Sequence, residues 1–367
     1  MTIGILGGGQ LGRMIALAGY PLGQSFLVLD PSADCCAGQV APSRVGAYDD
    51  EERLSEIARR TDVVTYEFES VPVASARFLE SRVSVFPPPM ALEVSQDRLT
   101  EKDFFRAHGI PSTEYIDVPT LESLEQAAET LGYPCVLKTR KFGYDGKGQR
   151  ILNSARDIES AWAAMGAASL ILESFVSFDA EVSLLCVRSR GGEERFYPLI
   201  ENEHLDGILR VSLPHGPSVT SELQAAAEVY AEKAMRALNY VGVLTIEFFV
   251  KDGALFANEM APRVHNSGHF SIEGAETSQF ENHVRAILGM PLGATDLLGP
   301  SAMVNVIGAF PSKEGRDLLM RIPGVHVHDY GKGAASGRKV GHVTLRASDM
   351  GSLTERLARV RALIEGA

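Results

Sequence analysis

Val136-Leu137-Lys138-Thr139-Arg140-Lys141-Phe142-Gly143-Tyr144-Asp145-Gly146-Lys147-Gly148-Gln149-Arg150-Ile151-Leu152 opens as a short apolar strand with a lysine near its end. A loop of glycines and cations follows, and a second apolar run begins at Ile151. Glycine lets a backbone turn tightly and aim its N–H groups at an anion, while lysine and arginine add charge. The composition suits a cover for polyphosphate, and equally a solvated hairpin turn. It is no Walker loop, because G-x-x-x-x-G-K-[ST] does not occur. Its meaning depends on what else the chain carries.

A second candidate comes first in the chain. The apolar run 2–6 leads into Gly7-Gly8-Gly9-Gln10-Leu11-Gly12, and a further strand at 25–29 ends at Asp30. G-x-G-x-x-G after a strand, with an acid about 20 residues on, is the dinucleotide-binding pattern. A nicotinamide oxidoreductase is therefore one reading, and close helix–strand packing in any doubly wound unit is the other. Strand and helix patterns alternate on to residue 86, so an α/β class is expected. Glu67 and Glu69 follow the strand at 62–66, where open α/β sheets bind ligands, and either could accept hydrogen bonds from sugar hydroxyls. Phe86-Pro87-Pro88-Pro89 marks a domain boundary, because proline continues neither a helix nor a central strand.

Further on, 243–251 and 254–260 flank Asp252-Gly253, a hairpin signal. Glu247 lies on one arm, with Asn258 and Glu259 on the other. A plain two-residue turn sets Glu247 opposite Asn258; a bulge or a longer loop sets it opposite Glu259. In the second register two carboxylates share a face, as a magnesium–polyphosphate site requires. The polar stretch 201–207 reads as a loop. The stretch 261–269, Ala-Pro-Arg-Val-His-Asn-Ser-Gly-His, is too rich in Arg263, His265 and Asn266 to be packing alone. Pro262 and Gly268 argue against one helix offering His265 and His269 to zinc. Lys332, Arg338 and Lys339 sit on a glycine-rich loop that suits a phosphate or, equally, a solvated turn.

Composition removes several classes. The chain has 367 residues, 45% hydrophobic and 22% charged, and its net charge is −12 from 35 basic and 47 acidic side chains. An acidic chain argues against a nucleic-acid surface, so any anionic ligand needs a local cluster of cations. No apolar run reaches the roughly 18 residues of a membrane span. The start, Met-Thr-Ile-Gly-Ile-Leu, lacks the basic region of a signal peptide. Four cysteines without C-x-x-C spacing indicate neither zinc nor a disulfide framework, so a cytoplasmic location is expected.

Together the blocks 7–12, 97–102, 143–149, 206–210, 258–269 and 337–342 resemble the ATP-grasp superfamily, and within it the N5-carboxyaminoimidazole ribonucleotide synthetases. The runs 261–269 and 337–342 carry most of that specificity. Lys147 stands where many relatives have arginine, and Met260 where isoleucine or leucine is common. The resemblance implies an ATP-grasp fold at 91–298 with a lid at about 112–175. A Rossmann-like pre-ATP-grasp domain at 1–90 would precede it, and a small α+β domain at 299–367 would follow. It implies ATP-dependent carboxylation of 5-aminoimidazole ribonucleotide with bicarbonate, giving ADP and phosphate via carboxyphosphate in purine synthesis.

By the same resemblance Arg98, Lys138 and Gly143, Tyr144, Asp145, Gly146, Lys147, Gly148 and Gln149 would hold the ATP phosphates. Glu173, Ser174, Phe175, Val176 and Glu181 would hold adenine and ribose, with His204 or Glu203 near the nucleotide and Asn258 beside the metal. Glu247 and Glu259 would carry Mg2+. Arg263, His265, Asn266 and Lys332 would hold bicarbonate or carboxyphosphate as the catalytic group. Glu67 or Glu69, Tyr144, Asp145, Lys332 and Arg338 would bind the ribonucleotide. A homodimer is implied, and the glycine turn at 7–12 would hold no NAD.

Overall fold

The computed structural model describes residues 1–141, 143, 148–165 and 169–366. Its first unit is a five-stranded parallel sheet in the order Ser43–Val45, Ser25–Asp30, Thr2–Leu6, Val63–Tyr66, Ser84–Val85. The central strand is an unbroken apolar run because both its faces are covered: Ile3, Ile5 and Leu6 are fully buried. Helices Gln10–Gly19, Glu51–Arg60 and Val73–Glu80 provide the cover. Helix Glu51–Arg60 shows why it starts and stops where it does. Asp50 accepts from the N–H groups of Glu52 and Arg53, with acids in the first turn and Arg59 and Arg60 in the last. Strands Thr2–Leu6 and Val63–Tyr66 pair in register from Ile3↔Val63 to Leu6↔Tyr66. Their ends therefore deliver the glycine turn and residues 67–69 to one edge.

The proline run is not a linker. After a cis Phe86–Pro87 bond, Pro89 opens helix Pro89–Ser95. Proline is favoured in a first turn, where its missing N–H would have had no partner. Helix Arg98–Ala107 follows, capped by Asp97 through the N–H of Leu99.

A four-stranded antiparallel sheet then projects from the chain, ordered Tyr115–Val118, Leu170–Ser174, Cys135–Thr139, Gln149–Leu152. The quoted stretch is its outer hairpin, with Lys138 opposite Gln149. The remaining nine strands form one sheet. Eight run in the order Ala254–Ala261, Gly242–Lys251, Ala180–Arg188, Ile200–Leu205, Ile208–Pro214, Ser301–Ile307, Lys339–Arg346, Val325–Asp329, and Glu194–Phe196 pairs beside Ala180–Arg188. This sheet continues across residue 299 through Val211↔Val304 and Ser212↔Met303. The expected loop at 201–207 is instead most of strand Ile200–Leu205 and a turn at Asp206-Gly207. Asp206 (φ 53°) and Gly207 (φ 73°) match Asp252 (51°) and Gly253 (73°), so both hairpins close through tight turns with positive φ at both central residues. Helix Ser221–Ala237 packs Leu223, Ala227, Ala231, Ala234 and Met235 onto this sheet against Leu184, Leu244 and Ile246. Among the described residues no helix is long and apolar enough to cross a membrane.

Candidate active site

At the amino-terminal turn, the amides that a dinucleotide would use are already filled. Gly8 N–H donates to Asp30 Oδ2 at 2.7 Å, and Gly9 and Gly12 donate to the two oxygens of Glu67 at 2.7 and 3.1 Å. Asp30, the candidate ribose acceptor, also accepts from Tyr48 Oη and the Ser32 N–H. A Cβ on Gly9 would lie 2.4 Å from Glu67 Oε1, so glycine is required by the carboxylate rather than by a pyrophosphate. Glu67 is buried and both of its oxygens are engaged; it braces the turn and is no free acceptor for sugar hydroxyls. Burial pushes its pKa above the usual carboxylate range, against the two N–H groups that hold it. Glu69 turns to Arg263, whose Nε donates to its Oε2.

A cluster of charged side chains is assembled around helix Arg98–Ala107. Arg98, Glu101 and Lys102 are spaced i, i+3, i+4 and so share one side of the helix. All three reach toward strand Ala254–Ala261. Arg98 Nη1 donates to Glu259 Oε2 at 2.9 Å, Met260 N–H donates to Glu101 Oε1 at 2.6 Å, and Lys102 Nζ donates to the Ala257 carbonyl at 3.2 Å. Asp97 receives both Nε and Nη2 of Arg140, which pins this helix to the end of strand Cys135–Thr139. Lys138 is thereby brought beside the same helix. Its Nζ lies 3.1 Å from Glu173 Oε2, which Lys102 Nζ also approaches at 3.4 Å and Thr113 Oγ1 reaches at 2.9 Å.

Burial opposes the charge on Glu173, yet Lys102 and Lys138 pull its pKa down to about 2. Burial lowers the pKa of Lys138, with Glu173 opposing and Lys102 and Arg98 adding to the depression. Glu173 was expected to offer its carboxylate to the purine and ribose edge. Instead the carboxylate is 1% exposed and committed to cations, because two lysines buried nearby need a counter-charge. Ser174 N–H closes onto the Glu114 carbonyl, and Phe175 is exposed at the strand end. Val176, half-buried, follows.

In the hairpin that this helix contacts, the register carries a bulge between Glu247 and Phe248, so that Glu247 faces Glu259 and Phe248 faces Ala257. Of the two registers left open by the sequence, the carboxylate pair is the one adopted. Glu259 meets Arg98, and Glu247 Oε1 lies 3.1 Å from His265 Nε2. Burial would raise the Glu247 pKa, but His265, His204 and Lys339 drive it below the carboxylate range. Asn258 Oδ1, in the bulge, is buried with no partner. Two carboxylates and an unmet amide oxygen form a hard-oxygen donor set, which fits a magnesium ion shared with phosphate oxygens. Among the described residues no group of three or more His, Cys, Asp or Glu side chains stands ready to hold a metal by itself. Glu181 Oε2 meets His204 Nδ1 at 2.9 Å. Burial disfavours the charged imidazole, but Glu181 and Glu247 outweigh it and raise the His204 pKa. Glu203 turns away and takes a two-pronged contact from Arg361.

The run 261–269 breaks into a short turn of helix at Asn266–Phe270. His265 faces the carboxylate pair, whereas His269 is buried against Phe280 and His342, so the two do not form a zinc pair. Asn266 exchanges two amide hydrogen bonds with Asn305, at 3.0 and 2.7 Å. Lys332 Nζ donates to Gln10 Oε1 at 2.5 Å, which carries the carboxy-terminal loop onto the glycine turn. Arg263 and Lys332 both act electrostatically on Glu67, which brings these two cations near the glycine turn. Arg338 is exposed and folds back on its own loop through the Gly333 carbonyl.

The structure thus gathers Arg98, Lys138, Glu173 and Glu259, and next to them Glu247, Asn258, His265, His204 and Glu181. Gly143 joins through its carbonyl, 3.4 Å from Arg98 Nη2. Gly148, at φ 72°, and Gln149 open the return strand. Tyr144, Asp145, Gly146 and Lys147 lie outside the described residues. Lys102, Glu101, Gln10 and Asn305 were not singled out. The first two lie inside the quoted block 97–102, where i, i+3, i+4 spacing from Arg98 was a usable signal. Asn305 sits in an apolar strand with no pattern around it.

Three domain families match the chain: the ribonucleotide synthetase preATP-grasp domain over residues 1–96, the ATP-grasp domain over 103–280, and the phosphoribosylaminoimidazole carboxylase C-terminal domain over 301–356. An N5-carboxyaminoimidazole ribonucleotide synthase from Pseudomonas aeruginosa is 50% identical over 365 residues, covering 100% of both chains. The crystal structure of N5-carboxyaminoimidazole ribonucleotide synthetase from Thermus thermophilus superposes with a TM-score of 0.94 at 54% identity, covering 99% of this chain and 98% of that one. N5-carboxyaminoimidazole synthase from Aspergillus clavatus, in complex with ADP and 5-aminoimidazole ribonucleotide, gives 0.93 at 31% identity, with 100% and 99% covered.

Proposed function

The chain belongs to the N5-carboxyaminoimidazole ribonucleotide synthase family of ATP-grasp ligases, and from that premise we propose how its residues divide the work. The reaction is the ATP-dependent carboxylation of 5-aminoimidazole ribonucleotide in purine biosynthesis. Bicarbonate is the carboxyl source in this reading. It is a poor electrophile until phosphoryl transfer from ATP makes carboxyphosphate, whose carboxyl group the substrate's exocyclic amine then captures.

Positioning and charge neutralisation are what the protein supplies. Arg98 and Lys138 take the polyphosphate, and the glycine loop covers it and keeps water from the intermediate. The strand end at 173–176 takes the adenine, and Glu181 with His204 the ribose side. Glu247, Glu259 and Asn258 would hold magnesium, which neutralises phosphate charge when bound. Arg263, His265, Asn266 and Lys332 bind bicarbonate and its phosphorylated form. His265 is oriented by Glu247, and Asn266 by Asn305. Glu69, Lys332 and Arg338, with Tyr144 and Asp145, bind the ribonucleotide.

One observation carries this reading: Arg98 is paired with Glu259 and also lies within the electrostatic reach of Glu173, which holds Lys138. This puts the cations assigned to phosphate beside one of the carboxylates assigned to the metal, as the reading needs. ADP release should require bicarbonate and aminoimidazole ribonucleotide together. Equal release with formate would overturn the choice of co-substrate. We also read the chain as a cytoplasmic homodimer that binds neither nucleic acid nor membrane, consistent with its net charge of −12. Sedimentation of the purified protein as a monomer would remove the dimer.

A further inference from the structure

A carboxylate 3.1 Å from a phosphate-binding lysine is a poor arrangement on its face, since it cancels the charge the phosphate needs. Glu173 does this to Lys138. The buried environment contains a second cation that restores the balance. Lys102 is fully buried, and each of its three donors is accounted for. Two go to Thr113 Oγ1 and the Ala257 carbonyl at 3.2 Å each, and the third points at Glu173 Oε2, 3.4 Å away. Lys102 therefore has no path to a ligand. Lys138, with its side chain 10% exposed, is the open end of the group. Thr113 completes the link by donating its own hydroxyl to the same Glu173 oxygen.

We propose that Lys102 is a positioning residue acting through Glu173: it offsets the carboxylate that orients Lys138, so that the Lys102–Glu173–Lys138 group meets the nucleotide phosphates with a net charge of +1. Glu173 fixes where the Lys138 ammonium sits, and Lys102 leaves that ammonium's charge in effect available. This rests on the reading that Lys138 binds phosphate. Lys102 would otherwise be a plain structural ion pair, and the two alternatives differ in what a double substitution does.

The net charge of the group is +1 in the native protein, 0 in Lys102→Met and +1 again in Lys102→Met/Glu173→Gln. ADP affinity, measured by calorimetry with magnesium present, should fall about tenfold or more in Lys102→Met, since a buried unit charge acts through a low effective dielectric. The double variant should recover most of that loss, because glutamine at position 173 keeps an amide oxygen of the same reach to accept from and orient the Lys138 ammonium. Its logarithmic dependence on salt should match the native slope, whereas the slope for Lys102→Met should be shallower. A purely structural Lys102 predicts the reverse, with the double variant binding ADP no better than Lys102→Met. That result overturns the proposal.

If Lys102→Met does not fold, the double variant still decides, because it leaves no buried Glu173 charge unpaired. ADP affinity within about threefold of native supports the proposal, and a loss beyond tenfold refutes it. Native protein that releases no ADP with ATP, bicarbonate and aminoimidazole ribonucleotide would instead overturn the functional reading, an outcome the ADP-binding series does not depend on.

Discussion

Two regions of this molecule invert what their sequences advertise. The turn at residues 7–12 has the spacing of a dinucleotide site, yet its amides are occupied by Asp30 and Glu67. The charged cluster where helix Arg98–Ala107 meets strand Ala254–Ala261 has no such spacing. It nevertheless retains unmet polar atoms, Asn258 Oδ1 and Glu173 Oε1, beside two lysines and an arginine. Glycine spacing reports that the backbone approaches something closely. Whether that something is a ligand or the protein's own carboxylate depends on which donors and acceptors remain unsatisfied.

That contrast can be broken most directly in the charged cluster. Glu259→Gln should lower ADP release by at least about 100-fold, through loss of an anionic metal ligand, with little change in melting temperature. Near-native turnover at saturating magnesium would remove Glu259 from the metal site. At the turn the balance should invert. Glu67→Ala should destabilise the fold by about 2–4 kcal/mol, because the buried N–H groups of Gly9 and Gly12 lose charge-assisted acceptors. Urea denaturation measures this, and a loss below about 1 kcal/mol would mean that the turn does not need its brace. Native protein titrated with NADH should show no binding by fluorescence.

On the carboxy-terminal loop, Arg338→Ala should raise the ribonucleotide KM about tenfold and leave that for ATP near native. The opposite split would move Arg338 to the nucleotide.

The smallest effect concerns Glu101. Burial first, then the charge of Glu259, raises its pKa to about 8. An acid whose folded pKa is raised contributes stability that is complete below its unfolded value and is lost as pH climbs toward 8. Glu101→Gln should therefore flatten the fall in melting temperature between about pH 5 and 8. An unchanged slope would show that Glu101 does not titrate in that window.

How far the sequence foretold this depended on distance along the chain. The Asp252-Gly253 hairpin was legible because its signal is local, and so were the two registers it permits. The choice between them was not, since the bulge after Glu247 depends on packing around Phe248 and Ala257, both buried in the main core. Glu67 and Glu69 stood out as acids at a strand end, but what they bond was hidden. Their partners lie 58 and 194 residues away, beyond any periodicity. The loop expected at 201–207 failed for a different reason. Glu201, Asn202 and Glu203 are polar, yet they lie on an interior strand of the nine-stranded sheet, where Asn202 bonds Ser183 and Ser212 and Glu201 accepts from the N–H of Ser218. Polarity at Asn202 reflects a buried hydrogen-bond network rather than solvent, and the matching Asp206-Gly207 turn was the overlooked sign.

The strand pair joining Val211 to Val304 has a practical consequence. A chain stopped at residue 298 would keep the Arg98–Glu259 and Lys138–Glu173 pairs but leave Ile208–Pro214 as a bare margin of amides and carbonyls, the kind of template on which neighbouring molecules stack. Such a fragment should precipitate rather than survive as a smaller enzyme, so the closing stretch of chain serves as a selvedge as well as a source of Lys332.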